Sequence, residues 1–191
     1  MGAGVATDLV NTSALVWRTA GEVLTGPAEL AAFLAEHDVR LDALPAGGLP
    51  TDDDLAQVLE LRQETRALLE LTSEDEVVEG ANRLVRRASA GLALLRDGEG
   101  AGEGKGEGDL QWYVTTAPNA SVADELAVLV GTGLLGVLHT LSHERFRYCA
   151  SPVCEGMFVD TSKAGRRRYC MPGLCGNRQH VANHRARQQR S

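Results

Sequence analysis

The four cysteines of this 191-residue chain lie in its last quarter and are spaced as two close pairs. Cys149 and Cys154 form one C-x4-C pair, Cys170 and Cys175 form the other, and 15 residues separate the pairs. Two such pairs, each on a tight turn, can supply the four thiolates of a tetrahedral Zn²⁺ site. The alternatives are disulfide bonds, which require an oxidising compartment, and four free thiols. The spacing favours one zinc ion bound by Cys149, Cys154, Cys170 and Cys175.

A four-thiolate site leaves no coordination position for water or substrate, so the predicted zinc ion is structural. Between the cysteine pairs, residues 157–160 favour a strand and residues 166–169 favour a second strand that returns after a turn. The segment 176–190 contains no proline and is compatible with a helix. Zinc binding would fold this module, which is too small to form a core of its own.

The charge of the chain is divided unevenly. Residues 1–142 carry 9 Lys and Arg against 23 Asp and Glu, a net −14, whereas residues 143–191 carry 10 against 3, a net +7. A basic segment within an acidic protein indicates a polyanionic partner for that segment. The cations that we expect to contact nucleic acid are Lys163, Arg166, Arg167, Arg168, Arg178, Arg185, Arg187 and Arg190.

The predicted basic helix suits double-stranded DNA, because a helix fits the major groove and Arg and Gln side chains bind phosphates and base edges. One finger reads only about 3 bp, so useful specificity favours a homodimer. Two alternatives stay open. The zinc module would serve protein interaction or assembly, with its basic helix on an acidic surface of a partner or second copy, or the basic segment would be a solvated tail that contacts the acidic body.

The segment from Arg147 to Arg187 resembles the CGNR zinc-finger domain. The motif itself is Cys175-Gly176-Asn177-Arg178, and the other matching features are the Cys149-x-x-Pro152-x-Cys154 turn, Phe158-x-Asp160-x-Ser162, the arginines before Cys170 and the basic segment after the motif. Two features depart from the family pattern. Tyr169 stands where that family usually has Trp, and Gln179-His180-Val181 stands where Lys and Ala are more usual.

The N-terminal part is similar to the ABATE domain that precedes CGNR fingers. The similarity rests on Asp8-Leu9-Val10-Asn11-Thr12 and on Leu24-Thr25-Gly26-Pro27 at the start of a helix. Together the two resemblances imply a stress-linked bacterial transcription regulator. The function predicted is therefore a zinc-finger DNA-binding regulator, with the acidic domain serving sensing or dimerisation.

Apolar periodicity and capping residues predict a mainly helical domain before the cysteines. Helices are expected to begin near Pro27, Thr51, Ser73 and Ser121. Residues 92–95 and 110–116 predict a β-hairpin whose tip is the Gly-rich run 98–108, while residues 5–12 fit either a strand or a helix start. The fold class predicted is α+β, mainly α. Residues 1–143 are predicted to form an ABATE-like acidic helical domain and residues 144–191 a treble-clef-like CGNR zinc finger with a basic C-terminal helix.

The sequence gives little support to catalysis. His143-Glu144 begins like the HExxH motif of zinc proteases, but Arg147 stands where the second histidine is required. The Gly-rich run matches no phosphate-binding loop, because its glycines alternate strictly. The triplet 52–54 is three aspartates, which suit the first turn of a helix better than a cation site. We therefore expect no enzymatic activity.

Membrane and export signals are weak. The longest apolar run, residues 126–141, is shorter than the roughly 20 residues that a membrane span needs, so a buried core helix is expected. The first eight residues lack the basic region and apolar core of a secretion signal. We expect a cytoplasmic protein without a membrane partner. A small-molecule effector of the N-terminal domain is unknown, and Asp8, Asn11 and Thr12 are candidate contacts for one.

Overall fold

The computed structural model describes residues 1–16, 21–44, 48–96, 110–177 and 188. Within these ranges the α-helices are α1 (Gly2–Asn11), α2 (Pro27–Glu36), α3 (Asp52–Leu69), α4 (Glu74–Arg86) and α5 (Val122–Thr140). The strands form two antiparallel pairs, β1 (Ser89–Arg96) with β2 (Leu110–Thr116) and β3 (Phe146–Tyr148) with β4 (Met157–Val159). A 3₁₀ helix (His143–Arg145) precedes β3, and a π-helical turn (Pro172–Gly176) follows the third cysteine. The predicted α+β, mainly α architecture is confirmed.

The helix starts follow the predicted capping residues. The hydroxyl oxygen of Thr51 accepts the backbone N–H of Asp54 (3.1 Å), and the Asp54 carboxylate accepts the N–H of Thr51 (2.8 Å). This capping box gives the acidic first turn of α3 a structural role. Ser73 and Ser121 cap α4 and α5 by accepting one backbone N–H each. Of the two interpretations of residues 5–12, the helix is correct.

Helix α5 is the centre of the hydrophobic core. Leu126, Ala127, Val130 and Leu134 have no exposed surface, and α1, α3 and α4 all pack against this helix. Its length and composition would allow it to cross a membrane, but 56% of that window is buried inside the fold. The buried core helix expected from the sequence is therefore present.

Two glycines of α5 allow neighbouring helices to approach its backbone. A Cβ atom at Gly133 would lie 2.3 Å from the amide nitrogen of Ala3 and 2.4 Å from the carbonyl carbon of Gly2, both on α1. A Cβ atom at Gly131 would lie 2.8 Å from the carbonyl oxygen of Ala81 on α4. These close approaches hold α1 and α4 directly against the central helix.

The strand pairing near the cysteines differs from the prediction. β4 pairs with β3, which precedes the first cysteine, and Arg147 lies opposite Phe158. Residues 166–169, predicted to be the returning strand, form no strand. The physical reason is that both edges of β4 are occupied, one by β3 and the other by side chains of α1. The N–H of Arg167 donates instead to the Asp160 carboxylate (3.0 Å).

Two predicted segments fall largely outside the described residues. The Gly-rich run 98–108 lies outside them entirely. Of the predicted helix 176–190, the structure describes Gly176 in the π-helical turn and Asn177 and residue 188 in helical conformation. The helix over the rest of that range stays a prediction.

The close contact between α1 and α5 predicts opposite effects of two alanine substitutions in one helix. Gly133→Ala should destabilise the protein by about 1–3 kcal/mol, because the new methyl group must displace the α1 backbone. Gly136→Ala is the matched control, since a Cβ atom there meets nothing within 4 Å and should stabilise by about 0.5–1 kcal/mol through helix propensity. Urea unfolding followed by circular dichroism measures both. Equal stabilities of the two variants would contradict the packing.

Candidate metal centre

The structure brings together the four thiols that the sequence predicts as metal ligands. Their Sγ atoms all lie within 4.8 Å of one another. The Sγ atom of Cys170 is 3.5 Å from that of Cys154 and 3.8 Å from that of Cys175. A tetrahedron with Zn–S bonds of about 2.3 Å has edges of about 3.8 Å. The four cysteines form no disulfide, and their thiols fit one structural zinc ion.

The first cysteine pair lies on a tight turn between β3 and β4. The N–H of Cys149 donates to the carbonyl of Gly156 (2.8 Å), which continues the β3–β4 pairing by one step. The N–H of Cys154 donates to the carbonyl of Ser151 (3.1 Å), closing the turn. The N–H of Gly156 then donates to the sulfur of Cys154 (3.3 Å). This bond holds the Cys154 sulfur beside the start of β4, close to the other three thiols.

The second cysteine pair is carried by the π-helical turn. The N–H groups of Leu174 and Cys175 both donate to the carbonyl of Met171, at 3.1 Å and 2.8 Å. Asn177 donates from its side-chain amide to the carbonyl of Gly173 (2.7 Å). The asparagine of the CGNR motif therefore closes the turn that presents Cys175.

The neighbouring thiols and burial oppose the ionisation of two of the four cysteines. Burial and the neighbouring thiolates raise the pKa of Cys170 strongly and that of Cys175 to about 11. Burial alone would also raise the pKa of Cys149, but hydrogen bonds from the backbone N–H groups of Cys170 and Ser151 lower it. A divalent cation removes the repulsion, so zinc binding releases protons and strengthens as pH rises.

A fully buried carboxylate organises the loop between the cysteine pairs. Asp160 has no exposed surface and accepts the backbone N–H (3.0 Å) and hydroxyl (2.6 Å) of Ser162. It also accepts the N–H of Arg167 at 3.0 Å, and the Arg147 guanidinium lies 3.4 Å away. Burial disfavours the charge, but these donors outweigh it and lower the pKa of Asp160. The ionised carboxylate ties the loop to the end of β4.

The other edge of β4 is closed by α1. The side-chain amide of Asn11 donates to the carbonyl of Met157 (2.6 Å) and accepts its N–H (3.1 Å). The hydroxyl oxygen of Thr7 accepts the N–H of Val159 (3.0 Å). Both α1 side chains are buried. Met157 and Val159 also belong to the main hydrophobic core, so the cysteine module packs against the helical domain.

The side chains suggested as effector contacts have internal partners. The hydroxyl of Thr12 donates to the carbonyl of Leu9 (2.7 Å) and accepts from Arg62 (3.0 Å). Asn11 binds β4, whereas Asp8 is partly exposed and lies 3.8 Å from His37. Asn11 and Thr12 therefore hold the fold together. Sequence analysis missed the role of Thr7 and Asn11, although two polar residues four positions apart in an apolar helix mark one shared face.

The structure describes four of the eight cations predicted to contact nucleic acid. Lys163, Arg166 and Arg168 are exposed. Arg167 is half-buried, and its guanidinium donates to the carbonyls of Tyr169 (2.9 Å) and Cys170 and lies 4.9 Å from the centre of the Phe158 ring. The cations outside the described residues are Arg178, Arg185, Arg187 and Arg190.

Four converging thiols on two turns, beside a short strand pair, define a zinc-finger protein with a helical N-terminal domain. Residues 145–188 match the CGNR zinc finger. Residues 3–133 match the ABATE family, described as "Putative stress-induced transcription regulator". Because this match covers more than half of the chain, the protein belongs to the ABATE family. Both resemblances inferred from the sequence are confirmed. A search of curated proteins gave no significant match.

The domain boundary predicted between residues 143 and 144 falls between the two matched ranges. Because β4 packs against α1, the two matched ranges share an interface. The boundary itself stays a prediction.

The metal centre predicts one equivalent of zinc per chain and its loss when a thiol is replaced. Cys170→Ser should remove most bound zinc, because a buried ligand is lost and hydroxyl oxygen is a poor donor to zinc. Ala150→Ser is the matched control, since it adds a hydroxyl at an exposed position beside Cys149. Elemental analysis of anaerobically purified protein measures both. Full zinc content in Cys170→Ser would contradict the four-thiolate site.

Asp160→Asn should destabilise the full-length protein by about 2–3 kcal/mol. The substitution removes the buried negative charge and places an NH₂ group, itself a donor, against the N–H and hydroxyl donors that bind Asp160. Asp42→Asn is the control, since Asp42 is exposed. Denaturant unfolding at neutral pH with saturating zinc compares the two. A loss no larger than that of the control would show that the Asp160 charge does not organise the loop.

Proposed function

We propose that this protein is a transcription regulator whose zinc finger binds double-stranded DNA through its basic residues. The observation that carries the proposal is a group of exposed cations on the loop that Asp160 organises, namely Lys163, Arg166 and Arg168. Within the described part of the chain none of the three forms an ion pair. They belong to a segment of net charge +7 in a chain of net charge −7. Such a local excess of positive charge suits a phosphate backbone.

Other arginines of the finger hold this loop in place. Arg145 donates to the carbonyls of Asp160 (3.1 Å) and Ser162 (2.8 Å). Arg147 donates to the carbonyl of Gly165 (2.8 Å), where a positive φ of 59° turns the chain. Together with Arg167, these side chains make the loop a rigid support, so that the exposed cations do not have to be ordered when they bind phosphate.

The proposal assigns different tasks to the two parts of the chain. The zinc ion is structural, because four protein thiolates leave no open coordination position. As part of the proposal, the protein is a regulator and not an enzyme. The finger contacts DNA in the cytoplasm, and the acidic domain serves sensing or dimerisation. A homodimer would double the short sequence that one finger reads.

One observation favours a second candidate, a zinc-stabilised assembly module. An open groove of about 680 Å³ lies where the α3–α4 connection meets β3. Its lining includes Glu70, Glu74 and Glu144 together with the exposed ring of Tyr148. Carboxylates beside an aromatic ring suit the basic segment of a second copy. In this alternative the same cations bind protein and not DNA.

Salt-dependent binding to random DNA duplexes tests the proposal. The affinity of the unaltered protein should fall by orders of magnitude between roughly 50 and 200 mM salt, as counterion release requires. The triple variant Lys163→Ala, Arg166→Ala, Arg168→Ala should bind more weakly, and the slope of log affinity against log salt should fall by about 0.9 per lost phosphate contact. Zinc content must stay unchanged in this variant.

The matched control removes three exposed cations of the helical domain, Arg40→Ala, Arg83→Ala and Arg86→Ala. This control changes the net charge by the same three units as the finger variant. It should leave the affinity for duplex DNA and the salt slope nearly unaltered. Equal behaviour of the two triple variants would rule out binding through the finger loop. Salt-sensitive self-association that is lost on replacing Glu70, Glu74 and Glu144 by Gln would instead support the assembly module.

A further inference from the structure

Strand β4 is bound on both edges, and only one partner is a strand. Toward β3, the carbonyl of Gly156 accepts the N–H of Cys149 (2.8 Å), and the N–H of Asp160 donates to the carbonyl of Arg145 (2.8 Å). On the opposite edge the backbone groups of residues 157 and 159, which face away from β3, bind side chains of α1. Helix α1 therefore does for β4 what a third strand would do.

The α1 side chains that bind β4 are themselves fixed in orientation. The amide of Asn11 donates to the carbonyl of Thr7 (2.7 Å), and the hydroxyl of Thr7 donates to the carbonyl of Ala3 (3.0 Å). The start of α1 is held by the close approach to Gly133 on α5. The position of α1 is therefore set by the helical core, and the rotamers of Thr7 and Asn11 are fixed by hydrogen bonds within α1.

Gly156 links this edge directly to the thiols. A Cβ atom at Gly156 would lie 2.8 Å from Oδ1 of Asn11, 2.5 Å from Sγ of Cys170 and 3.1 Å from Sγ of Cys154. The Asn11 side chain and two ligand sulfurs therefore lie around Gly156 with no room for a methyl group between them. Gly156 is also the residue whose N–H binds the Cys154 sulfur.

The geometry points to Thr7 and Asn11 as positioning residues of the zinc centre, so that metal binding and the packing of α1 are thermodynamically coupled. Asn11 lies 146 positions before Met157 and outside the matched finger range, yet only Glu155 and Gly156 separate Met157 from the ligand Cys154. Outer residues that orient ligand-bearing elements typically contribute to metal affinity. The coupling is reciprocal. If zinc binding stabilises the packing of α1 against β4, then the packing of α1 must increase zinc affinity by the same free energy.

The coupling would connect the helical domain and the zinc finger through the direct contact between α1 and β4. A change in the helical domain that displaces α1 would weaken zinc binding, and loss of zinc would loosen α1 from β4. This inference concerns the metal and the helical domain, and it stands whether the finger binds DNA or protein.

Zinc affinity of full-length variants, measured by competition with a chromophoric chelator, tests the coupling. Asn11→Ala should lower the affinity about 10–100-fold, the usual effect of losing an outer partner of a metal site. Asn82→Ala is the matched control, because Asn82 makes the same type of bond to the carbonyl four residues earlier (2.9 Å) on α4. The control should bind zinc like the unaltered protein. Equal affinities of the two variants would overturn the proposal.

Threonine variants provide a second route if Asn11→Ala does not fold. Thr7→Val removes the hydroxyl that accepts from Val159 and should also weaken zinc binding, whereas Thr7→Ser keeps the hydroxyl and should restore it. Thr140→Val is the control, since Thr140 makes a similar bond within α5 (2.6 Å) at an exposed position. Zinc affinity of Thr7→Val equal to that of Thr7→Ser would contradict the positioning role.

Hydrogen exchange separates specific coupling from general instability. Removal of zinc from the unaltered protein should speed exchange of the amides at the C-terminal end of α1 more than of those in α4, and this difference should shrink in Asn11→Ala. Val77→Ala, a core change in α4, serves as a variant destabilised away from the finger. Zinc removal that leaves α1 exchange unchanged, or a Val77→Ala variant of matched stability with the same loss of zinc affinity, would refute the coupling.

Discussion

Four thiolates packed within 4.8 Å of one another repel strongly, and a divalent cation is what makes their convergence stable. Within the described residues the finger has only a small apolar cluster of its own. Its own cluster consists of Phe158 and the cysteines, with few partly buried neighbours and Val16 from the N-terminal part. The buried Asp160 binds the N–H of Arg167, and the N–H of Ala150 donates to the carbonyl of Arg168 (2.8 Å), so these bonds bring the backbone before Cys170 to the first turn but do not offset the repulsion between thiolates. The metal site is therefore the constraint on which the module's geometry depends.

The finger is nevertheless more than an appendage held by its metal. Its β4 strand contributes Met157 and Val159 to the same core as the helical domain, and α1 satisfies the backbone groups that β3 cannot reach. Arg66 on α3 adds a bond to the carbonyl of Glu155 in the metal-binding turn (2.8 Å). An unpaired strand edge buried against a core would cost free energy, so the helical side chains make this arrangement possible.

How far the sequence predicts this structure depends on the range of each interaction. The helix starts at Thr51, Ser73 and Ser121 were predictable because capping acts within three residues. The thiol cluster was predictable because the cysteine spacing implies two turns around one ion. The partners of β4 were not predictable, since β3 and the side chains of α1 occupy the edges where a returning strand was expected. Likewise, the spacing of Thr7 and Asn11 marks a shared polar face of α1, but the partner of Asn11 lies 146 positions along the chain and is not identified by that local pattern.

The finger's arginines show why charge counting alone leaves the function open. The last 49 residues carry a net charge of +7, but the count does not distinguish cations that support the loop from those that face solvent. The guanidinium groups of Arg145, Arg147 and Arg167 donate to backbone carbonyls of the finger. These carbonyls lie in loop segments, outside the strands and helices of the finger. Exposed cations beside them gain a fixed position from that framework. A basic sequence of this kind is therefore both scaffold and contact surface, and only the hydrogen-bond partners tell the two apart.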